Sequence, residues 1–337
     1  MIGLDIGSKF MKGCSVIPKN DGTYLVYAAM LSSDTGYDNR GEATEIKDKV
    51  KRLIDQLRAK NSDVVLSSSD VDLIFRDFSF PHGLTGETLR GAVMIEAENS
   101  IFEAMDGLYS DFQEVSDLSS TQSTDILFVA SPKEKIDKKL SSLSLADIEV
   151  KGLSVDNIAL ANCFNTFNPR KAAGSVMVVD IGHEVSKIAV IDHGRLVFIR
   201  NAAFGGKHVT DEIAVSYEVS YYVAEQIKRQ FAVWNQIGLN IKNTLKKSAN
   251  NLLEAVFRSM EYCISKQKVS RIDEIFITGG GSMLKSMDTF IWETLGVNTV
   301  KWNPFESEMI RGVFDAEKGF FVPVALGLAI NDGSQNV

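Results

Sequence analysis

Residues 2–16 read IGLDIGSKFMKGCSV, and residues 177–191 read MVVDIGHEVSKIAVI. At a constant offset of 175 residues, Asp5 matches Asp180, Ile6 matches Ile181, Gly7 matches Gly182 and Lys12 matches Lys187. Each copy reads as a strand, an Asp-Ile-Gly turn and a return strand. A further strand follows each one, Thr23–Met30 after the first and Arg195–Asn201 after the second. Asn20-Asp21-Gly22 and Asp192-His193-Gly194 supply the hairpin turns between them. A long-period repeat of this kind constrains the architecture before any single element does. It points to two related α/β units in one chain.

After each three-strand opening the pattern turns helical. Glu42–Lys60 places Ile46, Val50, Leu53, Ile54 and Leu57 at helical spacing, and Val64–Leu66 and Val71–Phe75 follow as strands. In the second half, helices are expected over 206–232 and 240–266. A strand at Glu274–Thr278 then leads into Gly279-Gly280-Gly281 and a helix reaching about Leu295. Residues 80–150 break the symmetry. They read as a helix at Gly86–Phe102, strands near Tyr109–Val115 and at Asp125–Ala130, a helix at Lys133–Leu143 and a strand at Ile148–Leu153. Ser116–Thr124 is polar and reads as a loop. This stretch is a small α/β unit inserted in the first half, and the class throughout is α/β with mixed sheets.

Composition narrows the function. At roughly 100–200 residues per domain, 337 residues allow two or three units. The chain is 45% hydrophobic and 24% charged, which excludes a disordered or fibrous protein. With 36 Lys+Arg against 44 Asp+Glu the net charge is −8, which argues against a broad nucleic-acid or anionic-membrane surface. Cys14, Cys163 and Cys263 lie too far apart for a disulfide framework or a zinc site and read as small buried residues of a reducing compartment. No apolar run approaches the ~18–20 residues that span a bilayer. Met1-Ile2-Gly3-Leu4-Asp5 starts in a strand without a basic leader, so the expected compartment is the cytoplasm.

The turns carry the candidate chemistry. Glycine after a strand-ending Asp lets backbone amides approach a ligand and form an anion-binding nest. The Asp can hold a hydrated Mg²⁺ that bridges phosphates, and a lysine on the return strand, such as Lys12, can meet a phosphate as a point charge. Two copies facing each other would clamp a phosphate chain between two units. Gly279-Gly280-Gly281 reads either as a close-approach surface for a flat or anionic group or as a tight strand–helix turn. Asp156, ahead of the apolar run Ile158–Phe164, has the composition of a helix N-cap. Glu225, Lys228 and Arg229 have the spacing of surface helix ion pairs.

Together, the two Asp-Ile-Gly turns and the triple glycine resemble the two phosphate motifs and the adenosine motif of the actin-like ATPase superfamily. Within it the sequence resembles the PilM family of type IV pilus assembly, related to the division protein FtsA. The stretches that carry this are Leu89–Ile101, Phe204-Gly205-Gly206, Ala224–Gln230, Asn303-Pro304-Phe305-Glu306 and Val324–Ala329. The resemblance implies an actin-like, duplicated ribonuclease H-like fold with ATP or ADP and Mg²⁺ in the interdomain cleft. Subdomain 1A would comprise 1–79, 151–172 and 320–337, and an FtsA-type 1C insert 80–150. Subdomain 2A would comprise 173–205 and 268–319, and 2B 206–267.

The resemblance assigns Asp5 and Asp180 to Mg²⁺ through water, and Gly7, Ser8, Lys12, Gly182, His183 and Ser186 to the phosphates. Gly205, Gly206, Gly279, Gly280 and Gly281 would lie along the nucleotide, with Glu225 and Lys228 bracketing ribose and base. Asp156 would orient the attacking water, and Asp180 would share the catalytic role. His183 and Val185 depart from the small and hydroxyl residues usual there, so at most slow ATP hydrolysis is expected.

The implied partner is the N-terminal cytoplasmic peptide of a PilN-like inner-membrane protein, docked beside the insert and recruiting the chain to the membrane without insertion. Pilus motor ATPases and other copies of the chain are further implied partners. Other readings are a small-molecule kinase of the same superfamily and an FtsA-like filament. The polar end Asn331–Val337 does not suit the membrane helix of the latter. No P-loop, Gly-x-Ser-x-Gly elbow or zinc motif is present, and His82, His183, His193 and His208 do not have metal-ligand spacing.

Overall fold

The structure is a computed structural model that describes residues 1–33, 42–59, 62–68, 73–115, 123–144, 148–231, 241–266, 268–313 and 315–330. Strands β1 (Ile2–Ile6), β2 (Phe10–Pro18) and β3 (Tyr24–Ser32) form an antiparallel meander. Helix α1 (Glu42–Gln56) crosses over, and β4 (Val64–Ser68) returns parallel to β1. The insert follows as β5 (Ile74–Pro81), α2 (Gly86–Ser100), β6 (Leu108–Glu114), β7 (Ser123–Pro132) and α3 (Lys133–Ser144). β8 (Val150–Val155) then pairs parallel with β4, ahead of α4 (Asp156–Phe167) and the single turn α5 (Pro169–Ala172).

The second unit repeats the plan. β9 (Ser175–Ile181), β10 (Ser186–Asp192) and β11 (Arg195–Ala202) form the meander. Helices α6 (Gly206–Ser216), α7 (Tyr221–Phe231) and α8 (Ile241–Ser265) follow, and β12 (Glu274–Thr278) returns parallel to β9. Last come α9 (Met287–Leu295), β13 (Thr299–Lys301), β14 (Ile310–Val313) and α10 (Pro323–Ile330). The first sheet has the order β14-β3-β2-β1-β4-β8 and the second β11-β10-β9-β12-β13. Apart from β14, the two orders superpose strand for strand.

Strand alternation builds a layered core. Ile2 and Leu4 face outward to Val50, Leu53 and Leu57 of and after α1, and Leu143 of α3 joins them. Met177, Val179 and Ile181 of β9 face the helices of the second unit. The opposite faces of both sheets meet α4 and α10, packed together between the units. α10 is buried at every position from Pro323 to Ala329, as a helix apolar all round must be. Two glycines permit this layer. A Cβ on Gly3 would lie 2.0 Å from the Ala325 carbonyl oxygen, and one on Gly327 would lie 1.8 Å from that of Ala159. Cys14, Cys163 and Cys263 are free and buried, as expected.

The insert has a three-stranded sheet, β5-β7-β6, and a core of its own around Phe78, Val93, Ala97, Ile126 and Phe128. Its strand begins at Ile74, so 74–79 belong to that sheet rather than with the first unit. Residues 71 and 72 of the expected strand lie outside the described residues. Helix α3, expected as part of the insert, instead completes the first unit's core through Leu143. Of the loop expected at Ser116–Thr124, residues 123 and 124 open β7 and the rest lie outside the described residues. The stretch 206–232 divides into α6 and α7 at Glu218, which takes a left-handed φ of 51°. Residue 232 and the end Asn331–Val337 lie outside the described residues. β14 pairs with β3, so the chain has returned to the first sheet by Ile310, ahead of the boundary expected at 320.

Candidate functional site

Both Asp-Ile-Gly turns close at the same end of their sheets. Asp5 lies directly opposite Lys12 across β1 and β2, and Asp180 directly opposite Lys187 across β9 and β10. Paired residues of an antiparallel ladder share a face, so each acid and its lysine lie on the sheet face turned towards the other unit. Between the units lies a cavity of about 610 Å³, within the ordinary size of ligand sites, which Lys12, Asp180 and Lys187 reach. One wall carries Gly7, Ser8 and Lys12, the other Asp180, Gly182, His183 and Lys187, and the far end Gly279, Gly280 and Gly281. Gly206, Glu225 and Lys228 complete the expected set that the structure brings together.

The charges at its floor form one buried group. Lys12 Nζ donates to Asp5 Oδ2 at 2.5 Å, and Ser67 reaches Asp5 Oδ1 at 3.5 Å. Lys187 Nζ lies 3.4 Å from Asp180 Oδ2 and 3.2 Å from Asp156 Oδ2. Asp156 stands on α4, so Lys187 reaches from the second unit into the first. Burial pushes the Asp5 carboxyl up, but Lys12 and Lys187 outweigh it and hold the group below its ordinary range. Burial dominates at Asp156, which is pushed up to about 6 despite Lys187. Burial opposes the charge on Lys187, yet Asp180, Asp156 and Asp5 together hold the ammonium well above its usual range.

The glycine end is built by close approach. Gly279 has φ 83°, and a Cβ there would lie 2.1 Å from Asp180 Oδ1. One on Gly281 would meet Ile181 Cγ2 at 2.2 Å. The expected helix does not start at this turn. Gly280–Met283 is a 3₁₀ turn, and α9 begins at Met287. The turn therefore offers glycine backbone and not an α-helix N-terminus. Across from it, Glu225 accepts from the Thr210 hydroxyl at 2.7 Å and Arg229 at 3.1 Å, and Lys228 lies 2.7 Å away. Burial alone would raise Glu225, but these partners pull it down to about 2. Lys228 also donates to the Gly206 carbonyl at 3.0 Å, and burial holds its ammonium below the ordinary range.

Four expected residues do not line the cavity. Asp5 and Asp156 lie beneath it, fully buried. Ser186 sits one residue before Lys187 on β10 and so faces away, and its hydroxyl donates to the Phe204 carbonyl at 2.8 Å. Gly205 packs on the turn itself, where a Cβ would lie 2.4 Å from the His183 carbonyl. The N-cap reading of Asp156 fails as well: Val155 occupies the cap, and Asp156 starts the helix with its side chain directed at Lys187. His183 lines the cavity half-buried, and its imidazolium is disfavoured by burial, Lys228 and Lys9. Sequence reasoning missed Lys9, Lys139, Glu184 and Phe321 in the lining. It also missed the contact of the insert with the second unit, where Asp77 accepts from Tyr262 at 2.9 Å and lies 3.0 Å from Lys268.

A nucleotide fits these residues. The lining holds six cations, Lys9, Lys12, Lys139, Lys187, Lys228 and Arg229, against Asp180, Glu184 and Glu225, a balance of +3 in a chain of net charge −8. A Cβ on Gly7 would stand 3.4 Å from the Lys12 ammonium and one on Gly182 would stand 3.7 Å from that of Lys187. Both are ordinary contact distances; what glycine permits at Gly182 is the tight turn, since a Cβ there would lie 2.5 Å from the Val185 carbonyl oxygen. A magnesium ion fits less well. Both carboxylates expected to hold it already face an ammonium.

Comparison with known proteins agrees with the architecture. The family model for type IV pilus assembly protein PilM matches residues 3–332. The solved PilM-PilN type IV pilus biogenesis complex contains a chain 24% identical with a TM-score of 0.83, the match covering 98% of this chain and 97% of that one. MreB5 of Spiroplasma citri bound to ADP matches at 12% identity and TM-score 0.51, covering 99% and 96%. The ethanolamine utilization protein EutJ of Carboxydothermus hydrogenoformans matches at 15% and 0.52, covering 98% and 88%. Cell division protein FtsA of Staphylococcus epidermidis is 29% identical over 70 residues, a match spanning 21% of this chain and 15% of FtsA. The fold is that of the actin-like ATPases. Among the described residues no helix is long and apolar enough to cross a membrane.

Proposed function

The chain belongs to the family of type IV pilus assembly protein PilM, and from that membership we propose that it is a cytoplasmic nucleotide-binding scaffold of the pilus assembly platform at the inner membrane. It holds ATP or ADP in the cleft and the short N-terminal cytoplasmic peptide of a PilN-like partner beside the insert. The observation that carries the nucleotide is the meeting of two turns, 175 residues apart in sequence, on opposite walls of one cation-lined cavity that ends in a glycine run.

The partner reading draws its support from the family and from the likeness to a chain of the PilM-PilN complex. The peptide would bring an acidic protein to the membrane without insertion. Turnover is slow or absent in this reading. Positioning an attacking water is a main contribution of the protein to phosphoryl transfer, and Asp156, the acid expected to do it, faces Lys187 at 3.2 Å.

The test is a titration of the N-terminal peptide of the PilN-like protein of the same organism, carrying a photo-crosslinker. A peptide in a groove is expected to bind at about micromolar Kd, roughly −8 kcal/mol. Crosslinks should map to the insert and the adjoining first unit. Crosslinks confined to residues 173–267, or no saturable binding, would overturn the reading. Deleting 82–148 is a poorer test, because it removes Leu143 from the first unit's core.

A further inference from the structure

We propose that Lys187 is a built-in cation that stands where a divalent metal would stand, so that the nucleotide binds this chain without one; the inference rests on the nucleotide reading above. The two copies of the repeat place a lysine opposite an aspartate at the same register, but the two lysines do different work. Lys12 stays within its own unit and pairs with Asp5 at 2.5 Å. Lys187 lies between Asp180 of its own unit, at 3.4 Å, and Asp156 of the other, at 3.2 Å. Its side chain is 9% exposed, and the part that is open faces the cavity.

Charge counting supports the substitution. With all groups ionised, Asp5, Asp156 and Asp180 against Lys12 alone would leave −2 beneath the phosphates, the charge one divalent ion neutralises. Lys187 lowers that to −1 with a group the chain carries itself. Both Asp156 oxygens are buried without a hydrogen-bond partner, so this ammonium is the charge that compensates them. A metal entering here would either displace a buried ammonium from two carboxylates or lie against it. In a site shielded from water both routes are strongly unfavourable. Lys12, Lys187 and Asp180 also line the cavity, so floor and lining counted once hold six cations against the five acids Asp5, Asp156, Asp180, Glu184 and Glu225, a net +1. The chain's own side chains therefore leave the site cationic towards the phosphates without a metal.

The experiment measures binding of ADP, then ATP, to the full chain by calorimetry in excess EDTA and in excess Mg²⁺. The Kd values should agree within about threefold, under 1 kcal/mol. Lys187→Gln should weaken binding in EDTA by about tenfold or more, and Mg²⁺ should restore part of the loss. Wild-type binding that requires Mg²⁺ overturns the inference and leaves the nucleotide reading standing. Binding in neither buffer overturns both. A Lys187→Gln chain that binds as wild type in EDTA shows that the cation is not Lys187. The wild-type comparison needs no variant. The charge-balanced pair Lys187→Gln with Asp156→Asn serves if the single variant does not fold, with the same loss in EDTA expected and unchanged affinity again contradicting the assignment.

Discussion

Replacing Glu225 by Gln probes whether the network across the cleft from the glycine run is held by charge. The Glu225 side chain is 11% exposed and lies among Thr210 at 2.7 Å, Lys228 at 2.7 Å and Arg229 at 3.1 Å. Burial pushes its carboxyl up, while these partners pull it further down, from 4.5 to about 2. An acid depressed on folding stabilises the native state above its unfolded value, and that contribution is lost as pH falls towards the folded value. At 1.36 kcal/mol per pH unit, the contribution is about 3 kcal/mol at neutral pH and falls to roughly half by pH 3. Gln keeps the shape and loses the charge. Urea unfolding of both chains from pH 7 to pH 3 should show Glu225→Gln less stable by about 3 kcal/mol at pH 7, the gap narrowing below pH 4.5. A gap that stays constant with pH, or no gap at pH 7, would refute the electrostatic account of this network.

Lys187→Met should cost roughly 3–5 kcal/mol by leaving Asp156 and Asp180 buried without their cation, and adding Asp156→Asn should recover a large part of it; denaturant midpoints of the single and double variants check this. Gly327→Val should cost at least the ~1–3 kcal/mol of an overpacked core, because its Cβ would meet the Ala159 carbonyl, and the thermal midpoint reads it. Phosphate release from ATP should run well below the ~10 s⁻¹ median of enzymes, and a rate near that value would contradict the pairing of Asp156 with Lys187.

The duplication was legible because it is written twice. The same four residue types recur at one offset, and ladder register then forces both Asp–Lys pairs onto the cleft face. The apolar pattern likewise marked α2 and α8, whose buried positions follow the helical period, and β9, a continuous apolar run buried on both faces. Period-two alternation also held the answer for Ser186, since a residue beside Lys187 on β10 must face the other way. What did not show was long-range pairing. Nothing local in 310–313 marks a four-residue edge strand that pairs with β3. The Asp77–Tyr262–Lys268 contact joins residues more than 180 positions apart with no shared motif. The role of α3 was hidden for a related reason, since an amphipathic helix does not record which core its apolar stripe will enter.

The measurement closest to the central claim is a crystal structure of the chain grown with ATP. The account places the phosphate chain between Gly7-Ser8 and Gly182-His183, the adenosine against Gly279–Gly281, and the Lys187 ammonium beneath the phosphates, still between Asp156 and Asp180. Nucleotide bound elsewhere, or a cleft that stays empty at saturating ATP, would contradict it.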